Sequence, residues 1–255
     1  MMLILSGTTE GRMLAAELAQ RDIPYIATTV TEYGGELLLK TVEGKGAELK
    51  VGALQKTSLK QLVEDKMIRG IIDATHPYAS EITWMAHRQA EASQIPYLRW
   101  KRPGLSEEEK VDCIAAANYE EAANKLASQA GTWLITTGSN HLDVFCRLVP
   151  VHRMIIRVMP FPEVLRKCLH LGFTPKQIIA QQGPFSYSMN KLHLSEYNLA
   201  GMVTKDSGDI GGIREKLNAV VDLRLKTILI QRPVEPDSLK AENLEQFREF
   251  LLLIQ

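Results

Sequence analysis

Three short loops in this 255-residue sequence gather residue types that bind phosphate or move a proton. The first is Ser6-Gly7-Thr8-Thr9-Glu10-Gly11-Arg12, which follows the apolar run Leu3-Ile4-Leu5 and opens a helical pattern. A strand, a glycine turn and a helix start aim backbone N–H groups and the positive end of a helix dipole at one point. Gly7 lets a ligand come close to the backbone, and Thr8 and Thr9 can donate hydroxyl hydrogen bonds. Ser6 occupies the first glycine position of a GxGxxG run, so this stretch alone fits a plain tight turn equally well. The second loop, Asp73-Ala74-Thr75-His76-Pro77-Tyr78-Ala79, also follows an apolar strand. His76 can donate a proton or a hydrogen bond to an anion, and Asp73 can orient a neighbour. A helix-capping aspartate and an ordinary loop histidine are the plainer reading. The third loop, Val203-Thr204-Lys205-Asp206-Ser207-Gly208, offers Lys205 as an anion contact or proton donor, with Asp206 to pair with it. A capped turn with a surface lysine is its plainer counterpart. Thr136-Thr137-Gly138-Ser139 and Gln182-Gly183-Pro184-Phe185-Ser186 have the same placement after apolar runs.

Short β-rich runs alternating with helical patterns must position these loops. Strands are expected at Leu3–Leu5, Tyr25–Thr31, Glu48–Val51, Gly70–Thr75 and Pro96–Trp100. After a polar Pro-Gly stretch at 102–110 they resume at Val111–Ala115, Trp133–Thr136, Met154–Val158, Gln177–Gln181, Gly201–Thr204 and Thr227–Gln231. Helices are expected at Glu10–Gln20, after a Thr57 cap, after Pro77 and between the later strands, one of those capped by Asn118 with Glu121 three residues on. Strands separated by helices imply parallel βαβ units. The expected fold is therefore α/β: two Rossmann-like lobes with mainly parallel sheets, residues 1–101 and 102–255, and an interdomain cleft. Ligands of such sheets bind beyond the C-terminal strand ends. A carboxylate about 20 residues past the glycine turn binds the ribose hydroxyls of NAD, and Glu32 stands there. Thr29 and Thr31 can instead bond a 2′-phosphate, so NADH and NADPH both stay open.

Composition narrows the classes. Thirty basic residues balance thirty acidic ones, and aromatics are 6%, which argues against a nucleic-acid binder. The three cysteines form no CxxC pair, and an odd number speaks for reduced thiols. No apolar run reaches membrane-spanning length and the amino terminus lacks a basic n-region, so a cytoplasmic protein without membrane contact is expected. HExxH, Walker Gly-Lys-Ser/Thr and GxSxG motifs are absent, and the six histidines show no metal-ligand spacing. Basic residues cluster near strand ends (Arg99, Arg102, Arg157, Lys205, Lys216 and Arg232 among them), as a polycarboxylate ligand would require.

Taken together and in this order, the loops resemble the precorrin-6A reductase family of cobalamin biosynthesis. The matching pieces also include Tyr97-Leu98-Arg99, Arg102-Pro103, Thr137-Gly138 and Arg232-Pro233, so the likeness covers nearly the whole chain. Two positions depart from the family pattern: Ser6 replaces a usual glycine and Gly11 a usual alanine. The resemblance implies an oxidoreductase that reduces one macrocycle double bond of precorrin-6A, or its cobalt form, with NADPH or NADH. In that picture Gly7, Thr8, Thr9, Glu10, Thr29, Thr31, Asp73, Ala74, Thr75, Ser207 and Gly208 hold the cofactor. Tyr78, Arg99, Arg102, Ser186 and Arg232 meet the tetrapyrrole, and Lys205, Asp206 and His76 supply or orient the proton, with no metal ligand. Two rivals are an S-adenosylmethionine-dependent precorrin methyltransferase and a dinucleotide-binding protein without catalysis.

Overall fold

A computed structural model describes residues 1–42 and 47–254. The chain begins with strands β1 (Met2–Leu5), β2 (Tyr25–Thr29), β3 (Ala47–Val51), β4 (Gly70–Asp73) and β5 (Tyr97–Trp100). Helices α1 (Thr9–Gln20), α2 (Glu32–Val42), α3 (Lys56–Asp65) and α4 (Ser80–Ala92) connect them. A second series follows: β6 (Cys113–Ala116), α5 (Tyr119–Ala127), β7 (Trp133–Ile135), α6 (Leu142–Leu148), β8 (Met154–Val158) and α7 (Pro162–His170). It continues with β9 (Ile178–Ala180), α8 (Tyr187–Glu196), β10 (Gly201–Lys205), α9 (Ile213–Asp222) and β11 (Lys226–Ile230). The chain ends with β12 (Leu239–Ala241) and α10 (Leu244–Leu253).

Two compact units result, one of Met1–Arg102 with the stretch from Val234 onward, the other of Pro103–Pro233. The first sheet runs β3-β2-β1-β4-β5-β12 and the second β6-β11-β10-β7-β8-β9, with parallel pairing throughout. Both are doubly wound, and the first has the Rossmann order.

The strands read as continuous apolar runs because helices cover both faces. In the first unit Met2, Ile4, Ala27 and Ile72 pack on one side with Leu14, Leu18, Phe247 and Phe250. Leu3, Leu5, Ile26 and Ile71 pack on the other with Leu59, Leu62, Ala86 and Ala90. In the second unit Leu134, Ile155 and Met202 meet Leu194 of α8 and Ala219 and Val220 of α9.

The last stretch differs from the expected division at 101/102. It returns to the first unit, where β12 pairs with β5 and Phe247, Phe250 and Leu251 enter the first core. Its entry is tied down by Trp84 Nε1 donating to Val234 O (3.3 Å), by His87 Nε2 3.1 Å from Asp237 O, and by the Arg99–Glu235 ion pair.

Local differences also have physical causes. The strand expected to reach Thr75 stops at Asp73, whose Oδ1 accepts the Thr75 N–H (2.9 Å) and turns the chain. Thr31 does not extend β2; its hydroxyl accepts the Gly34 N–H (3.1 Å) and starts α2. Helix α3 starts behind Gln55, not Thr57, with Ser58 Oγ accepting the Gln55 N–H (2.9 Å). Asn118 caps α5 as the spacing predicts. No helix among the described residues is long and apolar enough to cross a membrane.

Candidate active site

In the first unit the chain order reverses between β1 and β4, and the crevice for a ligand lies beyond their C-terminal ends. The glycine turn leaves β1 there. Gly7 has φ +109°, a conformation that strains any residue with a Cβ. Among the described residues, the backbone N–H groups of Gly7, Thr8 and Thr9 donate to nothing. The start of α1 adds its dipole, and Arg12 Nη2 reaches the Thr9 hydroxyl (3.0 Å). These are the elements of a phosphate grip.

The side chains of the turn do other work than expected. Thr8 Oγ1 accepts from Gly11 N (3.1 Å), capping α1, and donates its one hydrogen to Ala74 O (2.8 Å). It therefore clasps the β1 turn to the β4 turn and has no hydrogen left for a phosphate oxygen. Glu10 is buried against Arg102, whose Nη2 donates to Oε2 (2.7 Å). The two residues expected to hold cofactor and substrate hold each other. Ser6 Oγ donates to Thr28 O (3.1 Å). A Cβ at Gly11 would lie 2.6 Å from Ser6 Cβ, so the two departures from the family pattern share one space.

Asp73 has no solvent exposure. It accepts from Tyr97 Oη (2.7 Å), Thr75 Oγ1 (2.6 Å), Thr75 N and Arg99 Nη1 (3.0 Å). Arg99, 1% exposed, completes its own set with Asp73 O, Thr75 O and Glu235. Burial and the Asp73 charge push the Tyr97 phenol far above its ordinary range. Burial opposes the charge on Arg99, and Asp73 and Glu235 outweigh it. This network is closed. Arg99, expected to meet the tetrapyrrole, is held here as a buried strut whose donors face acceptors of the chain. Asp73 likewise acts through Thr75 and Arg99.

His76 stands at the open side of this loop. Its Nδ1 accepts from Tyr78 N (3.2 Å), which leaves Nε2 to carry the proton in the neutral ring. The Tyr78 ring lies 5.7 Å from it. At the end of β2, Thr29 Oγ1 donates to Thr31 O (3.1 Å), while the Thr31 hydroxyl keeps its hydrogen.

In the second unit the reversal falls between β7 and β10, and the loops at Thr137 and Lys205 leave from it. Burial alone lowers the Lys205 amine to about 8. Asp206, expected to work beside it, is drawn elsewhere. Its Oδ2 meets Leu105 N (3.4 Å) and Arg232 Nε (3.4 Å), and Arg232 also donates to Asp206 O and Pro103 O (both 3.1 Å). The pair fastens the two ends of the second unit together. Ser207 is buried against Gly211, where a Cβ would lie 2.1 Å from its hydroxyl, and Gly208 has φ +74°. Ser186 is exposed and caps α8 through Met189 N (3.2 Å).

Two doubly wound parallel units, one with a phosphate-type turn at its reversal point and one with a lysine of lowered basicity at its own, define a Rossmann-like α/β enzyme. The family profile described as "Precorrin-6x reductase CbiJ/CobK" matches residues 1–254, and the chain belongs to that family. Similar proteins include the cobalt-precorrin-6A reductases of Priestia megaterium (35% identity, 91% of each chain) and Methanococcus maripaludis (32%, 97% of each). The precorrin-6A reductase of Rhodococcus erythropolis is 29% identical over 92% of this chain and 90% of its own. The fold matches a solved structure, "CobK precorrin-6A reductase", with a TM-score of 0.77 at 20% identity, over 98% of this chain and 96% of that one. The chain is thus an oxidoreductase of cobalamin biosynthesis, of a family that implies a nicotinamide cofactor and a tetrapyrrole substrate.

Proposed function

We propose that this chain reduces cobalt-precorrin-6A to the 6B form with NADPH, and that Lys205 donates the accompanying proton. The choice of the cobalt form rests on the relatives: the Priestia megaterium protein named for it is 35% identical, and the Rhodococcus erythropolis protein named for the cobalt-free form is 29% identical. The carrying observation is the place of Lys205 at the C-terminal end of β10, beside the reversal point of the second sheet, where burial lowers its ammonium to about 8. When bound, the nicotinamide supplies the hydride, which brings both electrons to one macrocycle carbon. Lys205 gives H⁺ to a second ring atom and regains it from water. The N–H groups of Gly7, Thr8 and Thr9 hold the cofactor pyrophosphate. The Thr31 hydroxyl hydrogen and the start of α2 support a 2′-phosphate. His76, with its Nε2 hydrogen, orients a polar group of the ligand.

Anaerobic incubation of the purified chain with cobalt-precorrin-6A, precorrin-6A, NADPH and NADH tests this reading. It predicts NADPH oxidation coupled to the 6B product, fastest with the cobalt form. Failure to oxidise either cofactor with either tetrapyrrole overturns the reductase reading, and faster turnover with NADH overturns the cofactor choice.

A further inference from the structure

Strand alternation places Thr204 and Arg157 on the same sheet face as Met202 and Ile155, the face that α8 and α9 cover. There the second unit buries two cations without a counter-charge. Arg157, 5% exposed, lies with its guanidinium 3.9 Å from the centre of the Phe185 ring. Its Nη1 donates to Asn190 Oδ1 (2.8 Å) and lies 3.4 Å from His193 Nδ1. None of these groups is anionic. Lys216, 8% exposed, donates from Nζ only to Gly211 O (3.0 Å). Among the described residues neither cation forms an ion pair, and Glu215 raises the Lys216 basicity only weakly. Burial, then Arg157 and Lys205, lower the Lys216 amine to about 7, and burial lowers Arg157 to about 10. The Thr204 hydroxyl, with no exposure, has no hydrogen-bond partner.

A buried charge or hydroxyl without a partner costs stability, so a fold that keeps all three in one layer has them ready for something that is not part of the chain. The surroundings suit a negative group. Helices α8 and α9 both begin at this end of the sheet, with their dipoles' positive ends there. Gly212 brings the start of α9 against the 184–185 turn, with a Cβ position 3.5 Å from Pro184 Cβ. Phosphate and carboxylate match a guanidinium fork, an ammonium and a hydroxyl donor.

We propose that Arg157, Lys216 and Thr204, beneath the first turns of α8 and α9, form an oxyanion site that takes one phosphate or carboxylate group of a bound ligand. The proposal rests on the reductase reading only for the source of that group, a cofactor phosphate or a carboxylate arm of the tetrapyrrole. The anion would supply the missing counter-charge and accept the Thr204 hydroxyl hydrogen.

Calorimetric titration of the full chain with inorganic phosphate, in a chloride buffer, tests the site without any turnover. The wild type should bind phosphate saturably. Lys216→Met and Arg157→Gln should each weaken it by roughly 10- to 100-fold, the loss of one charge-assisted hydrogen bond. Thr204→Val, which removes an unpartnered hydroxyl at nearly constant shape, should weaken phosphate binding while leaving the melting temperature unchanged or higher. Titrations with NADP⁺, NAD⁺ and the octacarboxylate uroporphyrin then find the source. Weakening of NADP⁺ alone assigns the 2′-phosphate, of both nucleotides the pyrophosphate, and of uroporphyrin alone a carboxylate arm. No saturable phosphate binding, or binding that all three variants retain, overturns the site. Phosphate loss with all three ligands unaffected also overturns it, leaving an adventitious ion only. A chain that binds phosphate in this way but oxidises no NAD(P)H keeps the site and loses the reductase reading.

Discussion

The two units bury charge in opposite ways. In the first, the Arg99 guanidinium lies between the carboxylates of Asp73 and Glu235, and Tyr97 and Thr75 donate to Asp73. In the second, Arg157 and Lys216 are also buried, with only neutral hydrogen-bond partners. A closed network holds a loop in place. An open one is stable only because other contacts tolerate it, and it marks where a ligand's charge belongs. In the first unit Asp73 and Arg99, expected at the ligand, are bonded to each other and to the chain around them. In the second, Arg157 and Lys216, which the sequence marks only as basic residues near strand ends, lie in the polar interior.

The largest expected effect breaks the closed network. Asp73→Ala leaves Arg99 and Tyr97 buried without their acceptor and should lower unfolding free energy by about 3–5 kcal/mol, read by urea denaturation. A loss under 1 kcal/mol would show that the network is not what holds the loop. Next is Lys205→Met, which should reduce kcat by about 10²- to 10⁴-fold while leaving the melting temperature nearly unchanged. An unaltered kcat would move the proton source to water or His76. Third is the shared space of Ser6 and Gly11. Gly11→Ala should cost about 1–3 kcal/mol through overpacking against Ser6 Cβ (2.6 Å) and Cα (2.9 Å), and Ser6→Gly in the same chain, which removes the Cβ clash but not the Cα one, should restore part of it. Equal losses in both backgrounds would mean that the two positions do not compensate.

The smallest effect is a pH dependence. The folded Lys216 amine sits at about 7 and the unfolded one at 10.5. Below the folded value both states carry the proton, and the folded chain bears the full cost of the buried charge. Between the two values the unfolded state binds more protons, so this contribution to stability rises with pH. Without phosphate, the stability advantage of Lys216→Met over wild type should shrink as pH rises from about 7 toward 10. An advantage that grows over that range would contradict the open-network reading.

Much of the fold was legible because buried parallel strands are apolar runs, and glycine turns and Asn118 punctuate them. Helix α2 was not, because its opening Glu32-Tyr33-Gly34-Gly35 carries two poor helix formers and its cap, Thr31, reads as a strand residue. The return of the chain to the first unit was hidden in β12, three residues long with only Ala241 buried. The loops of the site were legible, whereas the partners of their side chains were not. Arg99 meets Glu235 from 136 residues away, and nothing local marks that acid as its mate. A lysine with no counter-ion reads in sequence just like one in water, so Lys216 could be named as basic but not as buried.

The most direct test sets the two networks side by side. Asp73→Ala and Lys216→Met are unfolded in urea near pH 7, in the same buffer free of phosphate and nucleotides. Opposite outcomes are expected: a large loss of stability for Asp73→Ala, and stability equal to or above wild type for Lys216→Met. Substantial losses in both would contradict the open-network reading, because Lys216 would then be part of the scaffold.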